Sequence, residues 1–231
     1  MPVLTPTKDT GATTKPNIWL QVEPGLAVTD ELLAEPFEGT GLNGAFVSDM
    51  LSAMVTHERC GVHLYRTAET RSNNPILRAK YQEFGEETLR HVEILEGLIA
   101  GMGGNPSYVS PMARAMEAMD AKMLEATFLG TGALDVMTAE TAMLDAVFLA
   151  ETICHSNWRT LKSLAGQLPE GDFRDQCDNA IAEVEEQEDE HLEWAQTTKE
   201  RLVTLQAKSA ILANVGEKAE ELVARVRNWL S

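Results

Sequence analysis

The stretch IAEVEEQEDEHLEWAQTTKERL, residues 181–202, decides the reading of the whole chain. Ile181, Val184, Glu188, His191, Ala195 and Leu202 recur at helical spacing and define one face, the face that a helix in a water-soluble protein turns inward. Two of those six residues are ionisable. Glu188-Asp189-Glu190-His191 is a Glu-x-x-His sequence, whose three-residue spacing points both side chains the same way. A carboxylate and an imidazole therefore stand where apolar side chains belong.

Working outward, three other helical stretches repeat the anomaly. Leu51, Met54, Val55, Glu58, Val62 and Tyr65 share one face; so do Phe84, Glu87, His91, Ile94, Leu95 and Leu98, and then Leu144, Phe148, Glu151, Trp158 and Leu161. The breaks between stretches are legible too. Ser72-Asn73-Asn74-Pro75 ends the first and starts the second, Gly101, Gly103, Gly104 and Pro106 stop the second near Ala100, and Gly166, Pro169 and Gly171 separate the third from the fourth; proline suits a first helical turn and glycine a helix end. A further helical stretch from Pro111 to about Phe128 reads as a crossover. The expected domain plan is an extended or disordered arm over 1–44, a four-helix core over 45–206 and an additional helix over 207–231, where Ile211, Leu212, Val215, Leu222, Val223, Val226 and Leu230 form an interrupted apolar stripe. Regular apolar alternation is absent, so the fold class is all-α.

The four acids fall in register. Glu58 lies 17 residues before Pro75 and His91 lies 16 after it (75 − 58 and 91 − 75). Glu151 lies 18 residues before Pro169 and Glu188 lies 19 after it (169 − 151 and 188 − 169). At about 1.5 Å per residue the side chains of each hairpin reach one level. A short internal repeat points the same way: Glu58 precedes Tyr65-Arg66-Thr67 by seven residues, Glu151 precedes Trp158-Arg159-Thr160 by seven, and His91-Val92-Glu93 matches His191-Leu192-Glu193. Converging buried carboxylates repel one another, and each costs several kcal/mol to desolvate unless cations compensate. Metal ions are one resolution; a degenerate bundle whose polar groups bond one another or face a polar cavity is the other.

At these residues the chain resembles the ferritin-like di-iron carboxylate superfamily, in the company of rubrerythrin-type and bacterioferritin-type bundles, over roughly 45–206. The resemblance implies an antiparallel four-helix bundle with a long crossover, in which two helices give a Glu each and two give Glu-x-x-His. It implies Glu58 and Glu151 as lone or bridging carboxylates, with His91, Glu188 and His191 as ligands. Helix two departs from the pattern, since Thr88 stands three residues before His91. Glu87, four residues before it on the same face, is the expected substitute ligand. Carboxylate and imidazole donors without thiolates suit two iron ions, with manganese as the alternative metal. The implied chemistry is an oxidoreductase reacting with O2 or peroxide and drawing on an external reductant; the alternative is a metal-binding or stress-associated bundle without turnover.

Other residues carry blander expectations. Glu183, Glu185, Glu186, Glu190 and Glu193 read as a solvated face. His155, one turn after Glu151, is a candidate ligand or hydrogen-bond partner of one, whereas His57 and His63 point off the acid face. Tyr65 and Trp158 read as core, with electron relay as the other reading, and Met112, Met116, Met119 and Met123 as helix packing or a dimer face. The formal charge of −17, from 36 acidic and 19 basic residues, works against nucleic acid and anionic membrane surfaces as partners. Three cysteines, Cys60, Cys154 and Cys177, form no disulfide or zinc pattern. No segment carries a signal-peptide order or a membrane-length apolar run. The expected setting is cytoplasmic, as a homodimer or small homo-oligomer.

Overall fold

The computed structural model describes residues 35–131 and 136–208. A short 3-10 turn, Glu35–Phe37, precedes five helices: α1 (Gly44–Arg71), α2 (Pro75–Gly101), α3 (Pro111–Thr131), α4 (Val136–Ala165) and α5 (Asp172–Lys208). No strand occurs among the described residues. The start and stop signals act as their chemistry requires. Asn43 and Asn74 cap α1 and α2 by accepting from Phe46 N, and from Ile76 N and Leu77 N, backbone donors that have no partner inside the helix. Gly103 takes φ +83° after α2, and a Cβ on Gly104 would stand 2.9 Å from the Ile99 carbonyl oxygen that Gly104 N–H bonds. Glycine is required at both positions.

The helices pack as two hairpins, α1 on α2 and α4 on α5, and the hairpins meet through α1 with α4 and α2 with α5. Helix α3 spans the connection and lies against α1 and α4. Its start is fixed by serines: Ser110 Oγ donates to Asp49 O, Ser110 N donates to Ser52 Oγ, and Ser52 Oγ donates to Tyr108 O. Its middle is fixed by a buried pair. His57 Nδ1 lies 2.8 Å from Asp120 Oδ1 while Nε2 lies 3.0 Å from Ala150 O, so one imidazole ties α1 to both α3 and α4.

Two apolar clusters fill the interior. One contains Leu51, Val55, Leu95, Leu98, Trp158 and Leu161; the other contains Tyr65, Tyr81, Phe84, Leu144, Val147 and Leu202. On every long helix the ionisable inner residue falls between members of the two clusters: Glu58 between Val55 and Tyr65, His91 between Phe84 and Leu95, Glu151 between Val147 and Trp158, Glu188 between Val184 and Ala195. Each fully buried aliphatic side chain contributes about 1.5–3 kcal/mol, and that apolar burial on both sides holds the polar layer in place.

The domain expectations divide accordingly. Residues 1–34 and 209–231, which carry most of the expected arm and nearly all of the expected last helix, lie outside the described residues. Within the end of the arm that is described, Phe37 is buried and meets Phe173 edge to face at 5.7 Å. None of the five helices is long and apolar enough to cross a membrane.

Candidate metal centre

Five ionisable side chains between 0 % and 3 % exposed converge between the clusters: Glu58, His91, Glu151, Glu188 and His191. Their ligand atoms form two trios, Glu58–His91–Glu188 and Glu151–Glu188–His191, each with its atoms within 4.8 Å of one another. Glu188 belongs to both. His91 Nδ1 lies 3.1 Å from Glu188 Oε1 and 3.8 Å from Glu58 Oε2, and His191 Nδ1 lies 3.4 Å from Glu151 Oε2.

What each side chain does with its outer atom explains how the inner one is aimed. Trp158 Nε1 donates to Glu58 Oε1 at 2.9 Å, and Tyr65 OH donates to Glu151 Oε1 at 2.8 Å. His91 Nε2 bonds Gln187 Oε1 at 2.9 Å, and His191 Nε2 bonds Glu87 Oε2 at 2.7 Å. The inner atoms, Glu58 Oε2, Glu151 Oε2, Glu188 Oε2 and the Nδ1 atoms of both histidines, face one another: the Nδ1 atoms meet carboxylate oxygens as ion pairs, and none of the five makes a hydrogen bond of good geometry. A buried polar atom without a good hydrogen bond costs about 1–3 kcal/mol. Five facing the same interior fit metal coordination: oxygen and imidazole donors inward, a hydrogen bond on the far side of each His and of the two flanking carboxylates.

Without a cation the charges are balanced by protons. Burial pushes the Glu188 carboxyl up to about 8, with Glu58 and Glu151 adding to the rise against the opposing His91 bond. Burial alone would depress both imidazoles, but hydrogen bonds to the carboxylates outweigh it: Glu188 and Glu58 raise His91 to about 11, and Glu151 and Glu87 raise His191 to about 9. Burial likewise works to raise Glu58, and the His91 bond turns the balance so that it lies below its ordinary value. The hydrogen bond from His191 holds Glu87 low.

Five of the six residues singled out as ligands in the sequence are thus brought together. Glu87 belongs to neither trio; it is partly exposed and bonds the outer nitrogen of His191. Thr88 is buried with its hydroxyl donating to Phe84 O. His155 bonds Asp189 Oδ1 at 2.8 Å, outside both trios, and His63 is exposed. Sequence reasoning missed Gln187, although its signal was present: it stands four residues before His191, as Glu87 stands four before His91. It also missed the His57–Asp120 pair and the buried Glu140, whose Oε1 accepts from Ser72 Oγ and Asn73 N at the α1–α2 turn. Those acids are separated by long intervals from their partners and carry no local pattern.

Two openings approach the layer. A surface depression of about 480 Å³, lined by Gln82, Glu83, Glu86, Glu87, Arg90 and Gln187, reaches the residues behind both histidines. A space of about 10 Å³ between α4 and α5, lined by His155, Trp158, Arg159, Lys162 and Glu185, touches Glu188 itself, which is room for about one water-sized molecule.

A family model described as "Domain of unknown function (DUF892)" matches residues 45–207. No curated protein and no solved structure matches the chain.

Proposed function

The chain belongs to the DUF892 family, whose description names no activity, and from that premise we propose that it is a ferritin-like four-helix bundle of the di-iron carboxylate kind, binding two metal ions between its hairpins. The observation that carries this reading is the set of five buried carboxylate and imidazole side chains grouped as two trios that share Glu188, whose inner atoms make no hydrogen bond of good geometry. The ligands are Glu58 and His91 on one side, Glu151 and His191 on the other, and Glu188 bridging. Glu188, the residue common to both trios, would be the carboxylate shared between the two ions, beside the Glu58 and Glu151 to which the resemblance pointed.

Glu87 and Gln187 act from behind. Each fixes the ring of the histidine across the bundle with Nε2 outward and turns Nδ1 toward the inner carboxylates, where it would meet a cation, the usual way an outer partner sets imidazole orientation. Tyr65 and Trp158 do the same for the carboxylates. Hard oxygen donors with imidazole and no thiolate suit iron or manganese, and iron is the proposed metal. Two such ions would supply the electrons that reduce O2 or peroxide. The protein's part is to bind the ions, to hold the carboxylates and imidazoles in place, and to exclude bulk water. The small space beside Glu188 favours an oxidant of water size over an organic substrate, and it equally suits a second reading, metal binding without turnover.

Anaerobic loading with Fe(II) followed by elemental analysis tests the proposal. Two ions per chain, retained through desalting, are expected in the wild type, and O2-dependent oxidation distinguishes the oxidoreductase from the binding protein. A chain that retains no iron or manganese after loading rules the reading out.

A further inference from the structure

Two apolar rows run side by side on the outside of the bundle, away from the metal layer. On α3, Met112, Met116, Met119 and Met123 recur at i, i+4, i+7 and i+11, the spacing of one helical flank. The other flank faces α1: Asp120 meets His57, Glu117 acts on the Cys60 thiol, and the Arg71 guanidinium stands 4.4 Å from the Phe128 ring centroid. Because α3 rests on α1 and α4, the methionine flank borders α4. There Ala142, Ala146, Leu149 and Ile153 repeat the same spacing. His57 bonds both Asp120 and Ala150 O, so Met119 and Leu149, each one residue earlier, stand at one level.

Neither row contains a polar side chain, and both are incompletely covered. Leu149 is 53 % exposed and Met119 51 %; Met112 is exposed too, Met116, Met123, Ala142 and Ile153 are half-buried, and Ala146 is buried between the rows. On a chain of formal charge −17, a continuous apolar strip of this kind marks a surface with an occupant. Small alanines facing long methionines leave a shallow groove, and thioether side chains adapt to the shape of whatever lies against them.

The same chain carries a matching third row. Helix α5 ends at Lys208, and Gln206 Nε2 bonds Thr138 Oγ1 near the start of α4, so the 23 residues beyond it (231 − 208) begin beside the Met123 and Ala142 end of the groove. Residues 209–231 lie outside the described residues. Their sequence places Val215, Ala219, Leu222 and Val226 at the spacing of the other two rows, with Leu230 one turn further. As a helix they would span about 35 Å, against about 32 Å for the 21 residues of α3, at about 1.5 Å per residue. Leu222, 14 residues past Lys208, would then reach the level of Leu149, 13 past Val136 (222 − 208 and 149 − 136). Three acids, Glu217, Glu220 and Glu221, balance three bases, Lys218, Arg225 and Arg227, so the segment meets an acidic body without net repulsion. Residues 1–34 offer no such row, and Pro2, Pro6, Pro16 and Pro24 interrupt them, each a poor fit to a helix interior. We propose that residues 211–230 dock as a helix in the α3–α4 groove of their own chain, with Leu222 and Val226 against Met119 and Leu149.

Methionine oxidation reads the groove directly, because an accessible thioether is converted to its sulfoxide. Full-length protein, kept metal-free with a chelator, is treated with dilute hydrogen peroxide, and the sulfoxide at each methionine is followed by peptide mass spectrometry. It is compared with a chain ending at Lys208 and with the full-length double variant Leu222→Asp, Val226→Asp, which keeps the segment but places charge on its apolar row. Met112 and Met119 should oxidise about tenfold faster in both, since access follows the open fraction of a local docking equilibrium. Met50, packed on the other apolar cluster, should keep its rate, and slow oxidation of the buried Met143 verifies that the bundle stays folded. Equal rates at Met112 and Met119 in all three proteins overturn the proposal. Protection that fades on dilution also overturns it, by assigning the groove to a second copy, as does protection lost on removing residues 1–34 in place of the carboxy-terminal segment. The test involves no metal, so it stands or falls apart from the metal-centre reading.

Discussion

The half of the layer supplied by α1 and α2 and the half supplied by α4 and α5 share a polar frame but differ in one carboxylate. Both present a glutamate, a histidine three or more turns from the hairpin bend, and an outer partner that reaches across to the other half's histidine. Only α5 adds a carboxylate three residues before its histidine; at the corresponding place α2 has Thr88. The difference teaches that the two trios are not independent sites, since the first is completed by a carboxylate from the second half. Gly61, the counterpart of Cys154 at the offset of 93 that matches Glu58 with Glu151 (151 − 58), belongs to the same departure: a Cβ there would stand 3.3 Å from the Thr88 methyl, so the glycine leaves the room that the threonine side chain takes.

The comparison breaks most completely at Glu188. Glu188→Ala removes the shared ligand, and loss of both metals is expected by elemental analysis, whereas Glu58→Ala or Glu151→Ala should each leave one. Two metals retained in Glu188→Ala would mean that the halves bind separately. Thr88→Glu makes the halves alike. In metal-free protein it adds a further carboxylate to a buried layer, a cost of several kcal/mol, so the urea midpoint should drop well below that of the wild type. Fe(II) or Mn(II) should then raise it by more than in the wild type, and equal metal stabilisation of the two proteins would contradict the assignment of Thr88 as the missing equivalent of Glu188.

Much of this was legible in the sequence for a physical reason: a helix repeats its face every three to four residues, so Glu58, His91, Glu151, Glu188 and His191 each announced themselves by interrupting an apolar stripe. The helix boundaries were legible because Asn74-Pro75 and Gly103-Gly104 act locally. Helix α3 extends to Thr131, just beyond the expected Phe128. What stayed hidden depends on contacts between distant segments. That Glu188 is shared, that Glu87 stands behind His191 and outside the ligand trios, and that His57 is buried against Asp120 are facts about how helices rotate against one another, which spacing on one helix does not specify.

The next effect lies outside the layer. His57 is raised to about 9: burial alone would depress it, and the Asp120 hydrogen bond and charge outweigh that. A folded-state value above the unfolded one contributes stability that is complete below the unfolded value of 6.5 and disappears as pH rises through about 9, because beyond it neither state holds the proton. Asp120→Asn should therefore lose on the order of 3 kcal/mol in urea unfolding at acidic to neutral pH, and the gap to the wild type should narrow between about 6.5 and about 9. A gap constant across that window would show that the proton on His57 is not what the pair holds.

The smallest expected effect sharpens the comparison at the outer partners. His191 is backed by a carboxylate, Glu87, and His91 by a neutral amide, Gln187. A carboxylate behind an imidazole makes its inner nitrogen the stronger donor, and removing such an outer partner typically costs about 10–100-fold in metal affinity. Glutamine differs from glutamate in charge and not in shape, so Glu87→Gln should weaken the metal nearer His191 by no more than about tenfold, the low end of that range, and leave the metal nearer His91 unchanged. Gln187→Glu should strengthen the latter. Both metals must displace protons from imidazoles raised to about 9 and about 11, so apparent affinity rises with pH through the neutral range, and competitive titration with a chelator should show that slope in every variant. Equal weakening of both metals by Glu87→Gln would mean that the shared Glu188 couples the sites more strongly than their separate outer partners distinguish them.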